Sequence, residues 1–533
     1  MKLNAPIVIK LNRQNFNMKN IICLILFLLG SQLNYLPAQN AGDNFFDSDT
    51  IHEIRLTFNQ ANYWDSLIYY KNLTDSIGEN IYMEAGLEIN GTALNPIGAR
   101  IKGNSSYWAY PGNKKAFKLD LNEYFSEQKY DGFKKLSLNN SFNDPSFLRE
   151  KLLLDYIRKH NIPGPRCTFA NVYINNNYWG FYTVVEQIDK TFLDDYFGNK
   201  DGNLFKGDPH GKLKWKGPDQ TQYYNDYELK TNESTNDWSD LVELIDKINN
   251  SSPAEFEDSL NSIFNTSIYL KSWAANILFV SLDSYIGFGH NYYIYHNSAT
   301  HKFEWITWDA NGCFGVFNLG MNVHQLKNLS VLFVKNPPME LPLNPKILSN
   351  IDLKNEYLNY IAGFLASDFD TSYFFPIIDS LAGRIRSDVY ADTMKMFSNQ
   401  EFEDNIEYTI VMSGNKSISA LKDFFTDRVP AVISELAGLG IYVGHDELVN
   451  LDFGIDVYPN PATDFFTIEF NKTKNCEYAL KLYDLSGKLV KEIDNITTER
   501  LTINTGNLNN GIYLLRLINY NDKITYTRKL LIE

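Results

Sequence analysis

Strand-like and helix-like patterns are segregated along this chain. Short alternating runs fill the first third. Ile51, Ile54, Leu56 and Phe58 lie in one strand-like run within residues 43–62, and "IYMEAGLEING" and "KKAFKLDL" follow within 80–121. "FANVYINNNYWGFYTVVEQID" reads as a hairpin turning at Asn175–Asn177. One helix interrupts them, over about 145–160, with Asp144 as N-cap, Pro145 at the first helical position and an apolar face of Leu148, Leu152 and Tyr156. Helical periodicity takes over from about 236 to 280, strand patterns return at 291–295 and 303–308, and 350–440 is helical again. A repeating βα unit would alternate the two patterns throughout. This order predicts an α+β chain instead: a β-rich lobe over 43–188, then a mixed and finally α-rich lobe over 189–440. Residues 441–455 read as a linker. Residues 456–533 are short strands with turns at Ser486-Gly487 and Asn510-Gly511, which predicts a small all-β sandwich.

The 533 residues hold 44% hydrophobic side chains, enough for a sizeable core. The formal charge is −15, and residues 1–38 hold four basic groups and no acid, so the rest is more acidic still. Sequence-independent nucleic-acid binding needs clustered cations, and this balance argues against it. The 34 Tyr and 35 Phe suit a β-rich core better than a sugar-binding surface. At the N-terminus Lys19 precedes the apolar run "IICLILFLL", and Ala38 supplies a small residue for cleavage. That is the pattern of a secretory signal over 1–38, with Met18 as an alternative start. Cys23 leaves with it. Cys167, Cys313 and Cys476 remain, with no disulfide framework or zinc spacing, and a Cys167–Cys313 pair is left open.

Three polar residues stand at strand or helix ends. Asp283 follows an apolar helix, Asn291 opens the strand at 291–295, and Asp309 closes the strand at 303–308. Hairpin spacing would bring them to one end of a small sheet, where two carboxylates and an amide oxygen suit Mg²⁺ carrying phosphate. The plainer reading is a helix cap and a turn. In the β-rich part, "ARIKGNSSYW" sets Arg100 and Lys102 before a one-glycine turn. In "KKAFKLDL", Lys114, Lys118 and Asp120 share one face, either a cleft wall or a solvated surface. Glu150 on the intervening helix could pair with a strand lysine. No Gly-x-Ser-x-Gly elbow, His-Glu-x-x-His or Walker loop is present.

Taken in order, "IKGNSS", "KKAFKLDL", "LNNSFNDPSFLREKL", "VYINNNYWGFYTVVEQID", "GNLFK", "LDSYIGFGHNYYIY" and "ITWDANGCFG" closely resemble the spore coat protein H (CotH) kinase family. The resemblance implies a two-lobed atypical protein-kinase-like fold and Mg²⁺-dependent transfer of the ATP γ-phosphoryl group to Ser or Thr of surface or secreted proteins. Asp283 resembles the catalytic aspartate facing the substrate hydroxyl, and Asp309 the Mg²⁺-binding aspartate, assisted by Asn291. Lys118 is the first choice for the ATP-phosphate lysine, with Lys102 and Lys115 as rivals, and Glu150 is its helix partner. Glu186 falls near the lobe junction where adenine would lie. The chain departs from the usual kinase pattern: His-Arg-Asp is absent, Asn291 lies eight residues after Asp283, and Asn311 stands where some relatives carry a second acid. "VYPNPATDFFTIEF", "LYDLSGKLVKE", "LNNGIYLLRL" and "KLLIE" resemble the type A sorting domain of type IX secretion, an immunoglobulin-like sandwich. That implies export through the outer membrane of a Gram-negative cell by the type IX machinery. The alternatives are a surface adhesion protein that keeps the fold without turnover, and a carbohydrate-binding surface protein.

Overall fold

The computed structural model describes residues 40–47, 49–412, 417–443, 455–470, 478–484, 488–498, 500–506, 508–519 and 525–532. The expected signal segment, most of the linker, the Ser486-Gly487 turn, Cys23 and Cys476 lie outside these residues.

Seven strands close into a barrel. They are β1 (His52–Thr57), β2 (Met83–Ile89), β3 (Thr92–Lys102), β4 (Ala116–Asp120), β5 (Lys135–Asn139), β6 (Cys167–Ile174) and β7 (Asn177–Glu186), in the order β1-β2-β3-β4-β5-β7-β6. Neighbours are antiparallel except β1 and β6, whose parallel pairing from His52↔Ala170 to Leu56↔Ile174 closes the ring. Alternation fills the interior with Ile54, Leu56, Ile101, Phe117, Leu138 and Val172. The hairpin expected at Asn175–Asn177 turns on Asn175-Asn176, and β2 joins β3 through Asn90-Gly91. All four residues have positive φ, as type I′ hairpin turns require. Strand β5 and helix α1 (Tyr63–Ile77), whose Trp64 packs on Phe117 and Trp179 of the barrel, were among the elements not anticipated.

The expected helix at 145–160 forms as α2 (Arg149–Lys159), starting four residues later than predicted, so its N-cap is Leu148 rather than Asp144 and Pro145 lies ahead of the first turn. Phe147 takes a positive φ of 61° and cannot continue a helix. Asp144 still serves the N-terminus, since one carboxylate oxygen accepts from the Arg149 backbone N–H at 3.0 Å and the other from Ser146 N–H at 3.0 Å. α2 does not pack inside the barrel. Leu152, Leu153, Tyr156 and Ile157 join one large core with the helices of the second half, and Phe169 and Phe181 of β6 and β7 join it from the barrel side.

The second half holds helix α3 (Thr266–Leu278) and a four-stranded sheet, β8 (Leu204–Lys206), β9 (Glu228–Leu229), β10 (Tyr292–Asn297) and β11 (Lys302–Thr307), ordered β11-β10-β8-β9. Helices Ile351–Ser367, Thr371–Ala391, Asn399–Glu407 and Leu421–Gly438 follow. A buried ion pair ties the barrel to this half: Lys114 Nζ meets Asp392 at 2.5 Å, and the Asp392 carboxylate also accepts from the Phe181 and Met394 backbone N–H groups. Cys167 and Cys313 are both buried free thiols, so the pair left open by the sequence does not form. The last residues form two facing sheets of three and four strands around Phe466, Ile468, Leu480, Leu515 and Leu530. The chain is a mixed α+β fold with an all-β C-terminal sandwich.

Candidate active site

The β10–β11 register places two polar ends together. Tyr292 pairs with Thr307, so Asn291 and Trp308 sit beside each other, and Trp308 N–H donates to the Asn291 carbonyl at 3.3 Å. Asp309 follows in the left-handed region at φ 53°, which turns the chain sharply into the short helix Ala310–Gly312 packed on α2. Asp283 comes to the same place from the loop after α3. The Asn291 side-chain N–H donates to the Asp283 carbonyl at 2.7 Å, and Gly312 packs so close that a Cβ there would lie 2.8 Å from the Asp283 Cβ. One Asp283 carboxylate oxygen contacts His290 Nε2 at 2.8 Å, and no protein donor takes the other among the described residues.

The β-barrel contributes the opposing wall. Ile101 points into the barrel core and Lys102 points out, its Nζ 5.7 Å from the Trp308 ring centroid, beside Asp309. Lys102 donates to the Asn139 carboxamide oxygen at 2.7 Å, and the Asn139 N–H donates to Glu150 Oε2 at 2.9 Å. Glu150 Oε1 is buried with no protein partner. Asn139 thus bridges the lysine of β3 and the acid of α2, which make no direct ion pair.

The charges in this space act on one another. Burial, and then the Asp309 charge, push the Glu150 carboxyl up to about 7, while Asn139 and Lys102 pull the other way. Burial lowers the Lys102 pKa against the opposing pull of Asp309 and Glu150. Burial raises Asp309; Lys102 works against that rise and Asp283 adds to it. Lys206 on β8 adds a further positive charge that both Asp309 and Lys102 feel.

The other anticipated residues have partners of their own. Lys118, one row along the barrel's outer face, donates to Ser137 Oγ at 3.0 Å and to Gln187. Burial, then repulsion from Lys102 and Arg100, hold its pKa well below that of an ordinary lysine. Lys115 donates to the Tyr107 and Tyr110 carbonyls. The Glu186 carboxylate is taken by Arg166, through its backbone N–H at 2.9 Å and its guanidinium at 2.5 and 3.1 Å. Asn139, His290 and Lys206 were missed in the sequence. Asn139 lies inside the quoted stretch "LNNSFNDPSFLREKL", and His290 adjoins Asn291, but neither carries a spacing signal of its own.

Mg²⁺ prefers oxygen ligands and commonly takes one or two carboxylates, with phosphate and water completing its shell. The residues present fit that habit. Asp309 is half-buried and its carboxylate takes no hydrogen bond from the protein, nor does the Asn291 side-chain oxygen, among the described residues. No three His, Cys, Asp or Glu side chains form a fuller cage among the described residues. A separate cavity of about 230 Å³, lined by Asp49, Lys151, Asp155, Arg158 and Arg384 among others, does not include this constellation. Its charges are largely spent on each other, as in Lys151–Asp155 at 2.8 Å and Arg384–Asp49 at 2.7 Å.

A family model described as CotH kinase protein matches residues 99–431, and one described as secretion system C-terminal sorting domain matches 456–533. The inner spore coat protein H of Bacillus subtilis (strain 168) is 28% identical over 290 residues, 52% of this chain and 75% of that protein. Two solved structures are similar over 15% of this chain, each with a TM-score of 0.14. One is PorZ, a surface component of the type-IX secretion system of Porphyromonas gingivalis, at 20% identity over 11% of that chain. The other is an immunoglobulin-like β-sandwich protein from Bacteroides vulgatus, at 19% identity over 85% of that chain.

Proposed function

The chain belongs to the CotH kinase protein family and ends in a sorting domain for type IX secretion to the cell surface or beyond, and from that premise we propose that it is a secreted protein kinase. The reaction is transfer of the ATP γ-phosphoryl group to a Ser or Thr hydroxyl of a surface or secreted protein. The observation that carries this reading is the convergence of Lys102, Glu150, Asp309 and Asp283, brought by four separate elements to one charged site.

In the proposed mechanism Lys102 holds phosphate oxygens of ATP, and Glu150 sits behind it through Asn139. Asp309, with the Asn291 oxygen, would hold Mg²⁺. When bound, that ion would neutralise phosphate charge and align the phosphates. Asp283 accepts the proton of the Ser or Thr hydroxyl on the oxygen that His290 leaves free. The hydroxyl oxygen bonds to the γ-phosphorus as the bond to the ADP oxygen breaks. Little covalent work falls to the protein, so positioning and charge stabilisation account for the rate.

The test uses the mature chain with radiolabelled ATP and Mg²⁺. Wild type should bind nucleotide and phosphorylate itself or a surface protein, and Asp283→Ala and Asp309→Ala should each lose about a hundred- to a thousandfold. A wild type with no Mg²⁺-dependent nucleotide binding refutes the kinase and favours a surface binding protein. Undiminished transfer in both variants refutes the assignment of the two aspartates.

A further inference from the structure

Resting on the kinase reading above, we propose that Asn139 is a positioning residue whose carboxamide couples Glu150 to Lys102 and aims the lysine at the phosphates of a bound nucleotide. Three strands set this up. Leu136 and Leu138 of β5 turn into the barrel, which leaves Ser137 and Asn139 outside, and Lys102 lies outside on β3 because Ile101 lies within. β4 runs between them. Ala116 pairs with Lys102, and continuing the Phe117↔Leu138 register by one position sets Ala116 opposite Asn139. A methyl group in the middle row leaves the lysine room to cross β4 and reach Asn139 at 2.7 Å. One row along, Arg100, Lys118 and Ser137 occupy the corresponding positions, and there the long middle side chain satisfies itself at Ser137.

The bridge has a fixed polarity. A carboxamide accepts through oxygen and donates through nitrogen, so it can face an ammonium and a carboxylate at once. The Lys102 ammonium has three N–H groups and gives one to Asn139, which leaves two for phosphate oxygens. Glu150 Oε1, buried and without a protein partner, marks the direct ion pair that does not form. The acid acts on the lysine through the amide, and the lysine's charge stays available to the ligand.

The test measures binding of Mg²⁺-ADP and of adenosine to the mature chain by calorimetry, with kcat and KM for ATP. Asn139→Leu should weaken ADP by about ten- to a hundredfold, the range for a lost hydrogen bond to a charged group, and leave adenosine unchanged. The double variant Lys102→Met/Asn139→Leu should lose no more than Lys102→Met alone, because a residue acting through Lys102 has nothing further to remove. Asn139→Asp, nearly isosteric, still accepts from Lys102 but cannot donate to Glu150. It should weaken ADP and spare adenosine, and it carries the test if Asn139→Leu does not fold. Wild-type ADP affinity in these variants, equal losses for ADP and adenosine, or additive losses in the double variant overturn the role of Asn139. A wild type that binds ADP no better than adenosine overturns the kinase reading instead, and this inference with it.

Discussion

Glu150 should cost the folded protein stability at neutral and alkaline pH, and Glu150→Gln should restore it. The side chain is 3% exposed, and its carboxyl stands at about 7 against an ordinary value of 4.5. Between those values the folded protein holds a proton that the unfolded chain has released. Stability therefore falls as pH rises from 4.5 to about 7, and the full penalty applies above 7. At ~1.4 kcal/mol per pH unit, the penalty is ~3 kcal/mol. Glutamine keeps an oxygen for Asn139 and carries no charge, so the variant escapes the penalty. With ~2.1 cal/mol/K of unfolding entropy per residue and a cooperative unit of ~400 residues, the gain is ~4 °C in Tm. The assay is differential scanning calorimetry of wild type and Glu150→Gln without nucleotide and in chelator, at pH 5 and pH 8. Tm should be higher for the variant at pH 8, with most of the difference gone at pH 5, while ATP turnover falls at both. A variant no more stable than wild type at pH 8, or a gap independent of pH, refutes the reasoning.

Lys102→Met should weaken ATP at least tenfold, whereas Lys118→Met should change ATP affinity by no more than about twofold, because the Lys118 ammonium is spent on Ser137 and Gln187; nucleotide titration of both variants decides between the lysines. Gly180→Ala should destabilise the chain by several kcal/mol, on the order of 3, since Gly180 has φ 136° and a Cβ there would lie 2.9 Å from the buried Asp392 carboxylate; thermal unfolding and soluble yield check it.

The meeting of Asn291 and Asp309 was legible because register is a local property. Asn291 and Asp309 bracket a hairpin whose strand patterns are plain, so their meeting follows from strand length. The arrangement around Lys102 was not. Lys102, Lys115 and Lys118 all lie on or beside two adjacent strands, and alternation assigns faces without saying which ammonium is already used. That depended on Ala116 lying across from Lys102, and on Ser137 and Asn139 in a strand the sequence pattern did not reveal. Lys134 and Lys135 before Leu136 obscure its alternation, and Lys135 is held by Asp120 at 2.6 Å. The late start of α2 was hidden for a similar reason. Leu148 is the N-cap, and Asp144 reaches the Arg149 N–H across a left-handed Phe147, a geometry with no signal in the residue types. Glu186 reads as a lone acid at a strand end, and only the fold brings Arg166 to it.

The parallel β1–β6 pair also bears on how this protein can be cut and how it comes together. His52 must find Ala170 across more than a hundred intervening residues, so the ring cannot close until β6 has been made and delivered. A fragment begun at residue 99, where the family match starts, would lack β1 and β2 and most of β3. It would leave β6 without its parallel partner and what remains of β3 with an open edge, and that remnant carries Lys102. Preparations meant for nucleotide work should therefore begin before β1.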